Sequence, residues 1–180
     1  MRPMLVNVTT PAQEWGVRPD RVGVMGFSAG GHGAASLGTG FDKKVYDTVD
    51  DADAISAKPD FLALIYPVVS METGVTHGDS RRNLLGAEPT GTAINEYSAD
   101  KHVRPDMPPT FLLHADDDFQ VVSENSIRFY QALKASKVPA ELHIFGKGEH
   151  GFGLRFTKGL PVAVWPDLYV SWVRNLQMIP

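Results

Sequence analysis

One stretch limits this chain's fold more than any other: Val22-Gly23-Val24-Met25-Gly26-Phe27-Ser28-Ala29-Gly30-Gly31-His32. A short apolar run enters Gly26-Phe27-Ser28-Ala29-Gly30, and small residues follow. This is G-x-S-x-G in the setting it requires, a strand running through a tight turn into a helix. Such a turn puts the serine at a strained apex, so that its hydroxyl projects from the top of a sheet. Gly26 and Gly30 have no Cβ and are expected to let neighbouring backbone approach closely. The competing reading is an ordinary strand-to-helix turn with an incidental serine. The flanking strand and helix count against it.

A serine nucleophile needs a base within hydrogen-bond reach, itself oriented by a third group. With this turn the partners follow in the order Ser, then Asp or Glu, then His. Residues 110–122 form an apolar run ending in Asp116-Asp117-Asp118. Residues 141–153 form another, followed by a Gly-rich loop with His150. Both candidates lie just beyond the C-terminal ends of strands, the edge where active sites collect in parallel α/β sheets.

The chain resembles serine esterases of the α/β-hydrolase superfamily, and among them the acetyl-ester and acetylxylan esterase-like (lipase/esterase) branch. Gly26 to His32, Ser80 to Gly86, His114 to Val121 and Gly148 to Gly153 carry the resemblance, which covers roughly residues 14–155. The pattern His-Gly-x-x-Asp-x-x-Val falls on His114 to Val121, with Ala115 in place of the glycine. The pattern Gly-Gly-His-Gly-Phe falls on Gly148 to Phe152, with Glu149 in place of the second glycine. The resemblance implies a triad of Ser28, Asp118 and His150, with the Ala29 N–H donating to the oxyanion. Asp116 and Asp117 compete for the acid's role, and the family register favours Asp118. The family also draws an oxyanion donor from a His-Gly-Gly-Gly type loop well before the serine. Only 27 residues precede Ser28, and Met1 to Thr10 contains no glycine. A fold without the family's N-terminal strands and Gly-rich loop is therefore expected, and the missing donor would cost about a hundred- to thousandfold in turnover.

Length and charge narrow the classes further. At 180 residues the chain suffices for one α/β-hydrolase-like domain over 1–180, the C-terminal portion of the family fold. A net charge of −4 gives no footprint for nucleic acid or an anionic membrane. With no cysteine there is no disulfide, thiolate metal site or cysteine nucleophile. No cofactor or metal is expected. The apolar run at 4–8 is too short for a signal or membrane segment, so a cytoplasmic protein is expected, with export open if a signal has been lost.

Strands are expected near 21–27, 61–67, 110–115 and 140–146, as continuous apolar runs that suit a mainly parallel, buried sheet. Helices are expected at about 11–15, 29–38, 80–85, 92–97, 122–136 and 162–177. The first rests on Thr10-Pro11-Ala12-Gln13, a capping-box pattern. Ile127, Tyr130 and Leu133, and less cleanly Phe129, give the sheet-facing spacing of the run at 122–136. The acidic stretch 42–60 reads as a solvated loop. Without a neighbour, the serine-bearing strand would expose backbone on its outer side, a template for a homo-oligomer unless residues 4–8 cover it.

Other residues have plainer expected roles. His32 reads as a hydrogen-bonded helix residue and His114 and His143 as structural strand residues, while His77 and His102 have no assigned role. Arg81 and Arg82 read as surface ion-pair residues. Trp15, Trp165 and Trp172 read as core fillers. Loop 68–79 and residues 152–158 are expected to border the substrate pocket. The favoured function is hydrolysis of short acyl esters, on a small ester or an acetylated carbohydrate. The alternatives are a peptidase or amidase with the same triad, or a weak fragment serving as an assembly module.

Overall fold

The computed structural model describes residues 12–16 and 18–180. The expected edge cover at 4–8, and the Thr10 and Pro11 start of the first helix, lie outside them. Helix α1 spans Ala12–Trp15.

Four strands form one parallel sheet in the order β1-β2-β3-β4: Gly23–Phe27, Phe61–Ile65, Thr110–Ala115 and Ala140–Phe145. Gly26 pairs with Leu64, Ile65 with Leu113, and Leu113 with His143. Every residue of β2 and β3 is buried. The edge strands are only partly buried, so the expectation of burial on both faces holds for the inner pair alone. On β4, Glu141 and His143 sit 2.7 Å apart, polar groups that suit an edge. Among the described residues, β1 has no strand on its outer side.

Side chains of a strand alternate between faces, and this divides the core. Leu62, Leu64 and Leu112 pack with Ala34 and Ala35 of α2 (Ala29–Gly40) and with Phe129 and Leu133 of α5 (Glu124–Ala135). Phe61, Ile65, Phe111 and Leu113 pack on the other face with Trp165, Trp172 and Val173 of α6 (Trp165–Asn175). The result is a three-layer α/β/α arrangement. Trp165 and Trp172 are core residues, as expected, but Trp15 is 59% exposed and fills no gap.

The buried stripe of α5 also differs from expectation. It runs through Asn125, Ser126, Phe129 and Leu133, while Ile127 and Tyr130 are only half-buried. Two polar residues lead the stripe because they hold other segments in place. Asn125 accepts the N–H groups of Val69 and Ser70 and donates to the Val75 carbonyl. The short helices α3 (Gly78–Leu85) and α4 (Gly91–Glu96) pack Leu85 and Ile94 against a small cluster of Val68, Met71 and Val121. The acidic stretch stays on the surface but contains a 3-10 turn, Asp51–Ala54, capped by Asp50.

Candidate active site

Ser28 sits between β1 and α2 with φ 52 and ψ −122, a backbone region costly for a residue with a side chain. The turn is pinned from three sides. The Ser28 N–H donates to Ile65, and its carbonyl accepts from Gly31 and Val68. A Cβ on Gly26 would fall on the Gly30 carbonyl, so that glycine permits the expected close approach. Gly30 does not, because a Cβ there would meet nothing within 4 Å. The second close approach belongs to Gly31, whose absent Cβ makes room for Pro67.

The three chemical side chains converge at the C-terminal ends of β1, β3 and β4. Ser28 Oγ lies 2.8 Å from His150 Nε2, and His150 Nδ1 lies 2.6 Å from Asp118 Oδ2. A carboxylate only accepts, so Nδ1 carries the proton and the lone pair of Nε2 faces the serine hydroxyl. Asp118 Oδ1 accepts the N–H groups of Gln120 and Val121 at 3.0 and 2.9 Å. Asp118 is 2% exposed. Burial pushes its carboxyl up, but hydrogen bonds from His114, His150 and the Val121 N–H outweigh this and hold it far below the ordinary carboxylate range.

The depressed carboxyl ties stability to pH. Asp118 has a lower pKa folded than unfolded, so its contribution is fully present above the unfolded value of about 4 and is lost as pH falls towards the folded one. The melting temperature should therefore decline below about pH 4, and Asp118→Asn should flatten that decline. An equally steep decline in the variant would count against the assignment.

The other two acids take separate roles. Asp116 donates its N–H to Phe145 and accepts weakly from Ser123 at 3.4 Å. Asp117 turns towards the His150 loop. Ala29 stands at the first position of α2, where a helix leaves its own N–H groups unsatisfied, and the Ser28 side chain does not cap them. Ala29 itself is exposed beside the half-buried Ser28.

Sequence reasoning missed two neighbours of this line. Tyr66, at φ 39 and 5% exposed, sets its ring 5.1 Å from the His150 ring and 4.7 Å from Phe152. The only signal was its position at the end of β2. His114 is wholly buried and more than a strand filler. Its Nε2 lies 2.7 Å from the Val121 carbonyl and 3.4 Å from Asp118 Oδ2, and its Nδ1 lies 2.8 Å from Ser126 Oγ. The carbonyl fixes the proton on Nε2, so Ser126 donates to Nδ1.

His32 bonds the Tyr97 carbonyl at 2.8 Å, as a helix residue rather than a base. Arg82 pairs with Asp79 at 2.7 Å, whereas Arg81 donates to the Thr73 hydroxyl instead of joining an ion pair. A hollow of about 290 Å³ adjoins Ala29, lined by His32, Met71, Ser80, Asn83 and Leu84. Loop 68–79 supplies only Met71 to it, and α3 supplies Ser80, Asn83 and Leu84. A second hollow, about 480 Å³, flanks His150 and includes Phe152 and Phe156 from the expected border.

Known proteins share this arrangement of strands and helices. Residues 1–133 match the BD-FAE family. The chain is 36% identical over 150 residues to an acetylxylan esterase of Xylanibacter ruminicola, covering 81% of this chain and 29% of that protein. It is 39% identical over 141 residues to endo-1,4-beta-xylanase B of Butyrivibrio fibrisolvens, covering 78% and 22%. The crystal structure of an acetyl ester-xyloside bifunctional hydrolase from Caldicellulosiruptor lactoaceticus superposes with a TM-score of 0.92 at 38% identity, covering 98% of this chain and 64% of that one. The chain thus spans under a third of the curated relatives' length and about two thirds of the solved one's. By its family match and its parallel helix-flanked sheet, this chain belongs to the BD-FAE family and has the α/β-hydrolase fold.

Proposed function

We propose that the chain is a serine carboxylesterase acting on short acyl esters, with Ser28, His150 and Asp118 as its triad. The observation that carries this reading is the unbroken hydrogen-bond line from Ser28 Oγ through His150 to Asp118. Ser28 Oγ attacks the ester carbonyl as its proton passes to His150 Nε2. Asp118 stabilises the imidazolium and keeps its orientation. The Ala29 N–H donates to the oxyanion. His150 then protonates the leaving alkoxide, and water resolves the acyl-enzyme by the same route in reverse. The acetylxylan esterase relative supports acetyl as the acyl group and a hydroxyl-rich carbohydrate as the alcohol.

The purified chain should hydrolyse p-nitrophenyl acetate, leave the corresponding p-nitroanilide intact, and take a fluorophosphonate label on Ser28. Faster anilide than ester cleavage would favour a peptidase. An unlabelled Ser28 with no turnover would leave an assembly module as the better reading.

A further inference from the structure

Glu149 directly precedes His150 and has φ 57, in the left-handed region that suits glycine and disfavours residues with a side chain. It is also the position where the sequence departs from Gly-Gly-His-Gly-Phe, with glutamate in place of glycine. Something other than residue type must hold this backbone. Asp117 Oδ1 accepts the Gly148 N–H at 2.9 Å and the Glu149 N–H at 2.8 Å. Both bonds are charge-assisted, and together they fix two consecutive peptide units. The Asp117 side chain is 14% exposed, and Lys147 Nζ lies 3.6 Å from its other oxygen. The Glu149 N–H above all holds its carboxyl below the ordinary range, so it stays charged.

We propose that Asp117 is a positioning residue for His150, holding Glu149 in a conformation that glycine would adopt unaided and so presenting Nε2 to Ser28. This rests on the esterase reading above. The second acid of Asp116-Asp117-Asp118 and the glutamate before His150 then form a functional pair across the β3 and β4 loops. Asp117 binds the backbone before His150 rather than Ser28 or the His150 ring, so its effect should fall on the chemical step.

The test compares p-nitrophenyl acetate kinetics and fluorophosphonate labelling in the native chain, Asp117→Ala, Asp117→Asn and Asp117→Ala/Glu149→Gly. Asp117→Ala should lose about tenfold in kcat with little change in KM, because the left-handed conformation loses its support. Labelling should slow in parallel. Asp117→Asn keeps an oxygen acceptor and should lose less. Adding Glu149→Gly to Asp117→Ala should recover part of the loss. Native kcat in Asp117→Ala, or no recovery with glycine, would overturn the proposal. Should Asp117→Ala fail to fold, Asp117→Asn with and without Glu149→Gly makes the same comparison: native kcat in Asp117→Asn, or no recovery with glycine, overturns the proposal there too. Absence of Ser28-dependent turnover in the native chain would overturn the esterase reading instead. Ser28-dependent turnover that ignores Asp117 would overturn the positioning role alone.

Discussion

Ser28→Ala should lower the turnover of p-nitrophenyl acetate by at least about a thousandfold. The substitution deletes the only atom that attacks and leaves the rest of the site in place. His150 keeps its bond to Asp118, and the Ala29 N–H keeps its position. Stability should barely change. The serine hydroxyl caps no helix N–H, and among the described residues it bonds His150 alone. Alanine takes over the same backbone strain at φ 52. The expected outcome is therefore a variant that melts with the native chain and is catalytically silent. Comparable turnover in both proteins would show that Ser28 is not the nucleophile.

Gly26→Ala should act on folding instead. Its new Cβ would press on the Gly30 carbonyl and the Gly31 Cα, atoms of the turn that carries Ser28. Backbone cannot step aside as a flexible side chain can. A loss of about 3 kcal/mol or more is expected, or roughly 10 °C in melting temperature for a chain of this size. Gly30→Ala is the contrasting case. Its Cβ meets nothing within 4 Å, and in a helix alanine is favoured over glycine by up to about 1 kcal/mol. Thermal melts should separate the two sharply. A Gly26→Ala variant as stable as the native chain would refute the close approach as the reason for that glycine.

The strands, and the three side chains that the structure brings together as Ser28, His150 and Asp118, were legible because their signals are local. Phe61-Leu62-Ala63-Leu64-Ile65 is apolar without interruption, as an inner parallel strand must be, and the serine turn announces itself in five residues. Ser28, Asp118 and His150 each follow such a run, so the topology brings them to one edge. What stayed hidden depends on partners distant in sequence. Asn125 and Ser126 broke the apolar period of α5 because their task is to bind loops and His114. Apolar spacing alone therefore finds Leu133 and Phe129 but overrates Ile127 and Tyr130, which are only half-buried. Gly30 shares a motif with Gly26 but not its crowding, which depends on where the turn's own carbonyls point. The task of Asp117 shows only once the β4 loop is placed against it.

In the order β1-β2-β3-β4, Ser28 follows one edge strand and His150 the other, 122 residues apart in the chain, while Tyr66 and Asp118 follow the inner two. His150 and Asp118, 32 residues apart, follow the paired strands of one β-α-β unit, whereas Ser28 lies 122 residues from His150. Closing so long a loop is entropically unfavourable until the intervening strands are paired. Secondary structure can return early as the chain refolds. The Ser28–His150 hydrogen bond, by contrast, cannot close until all four strands have found register.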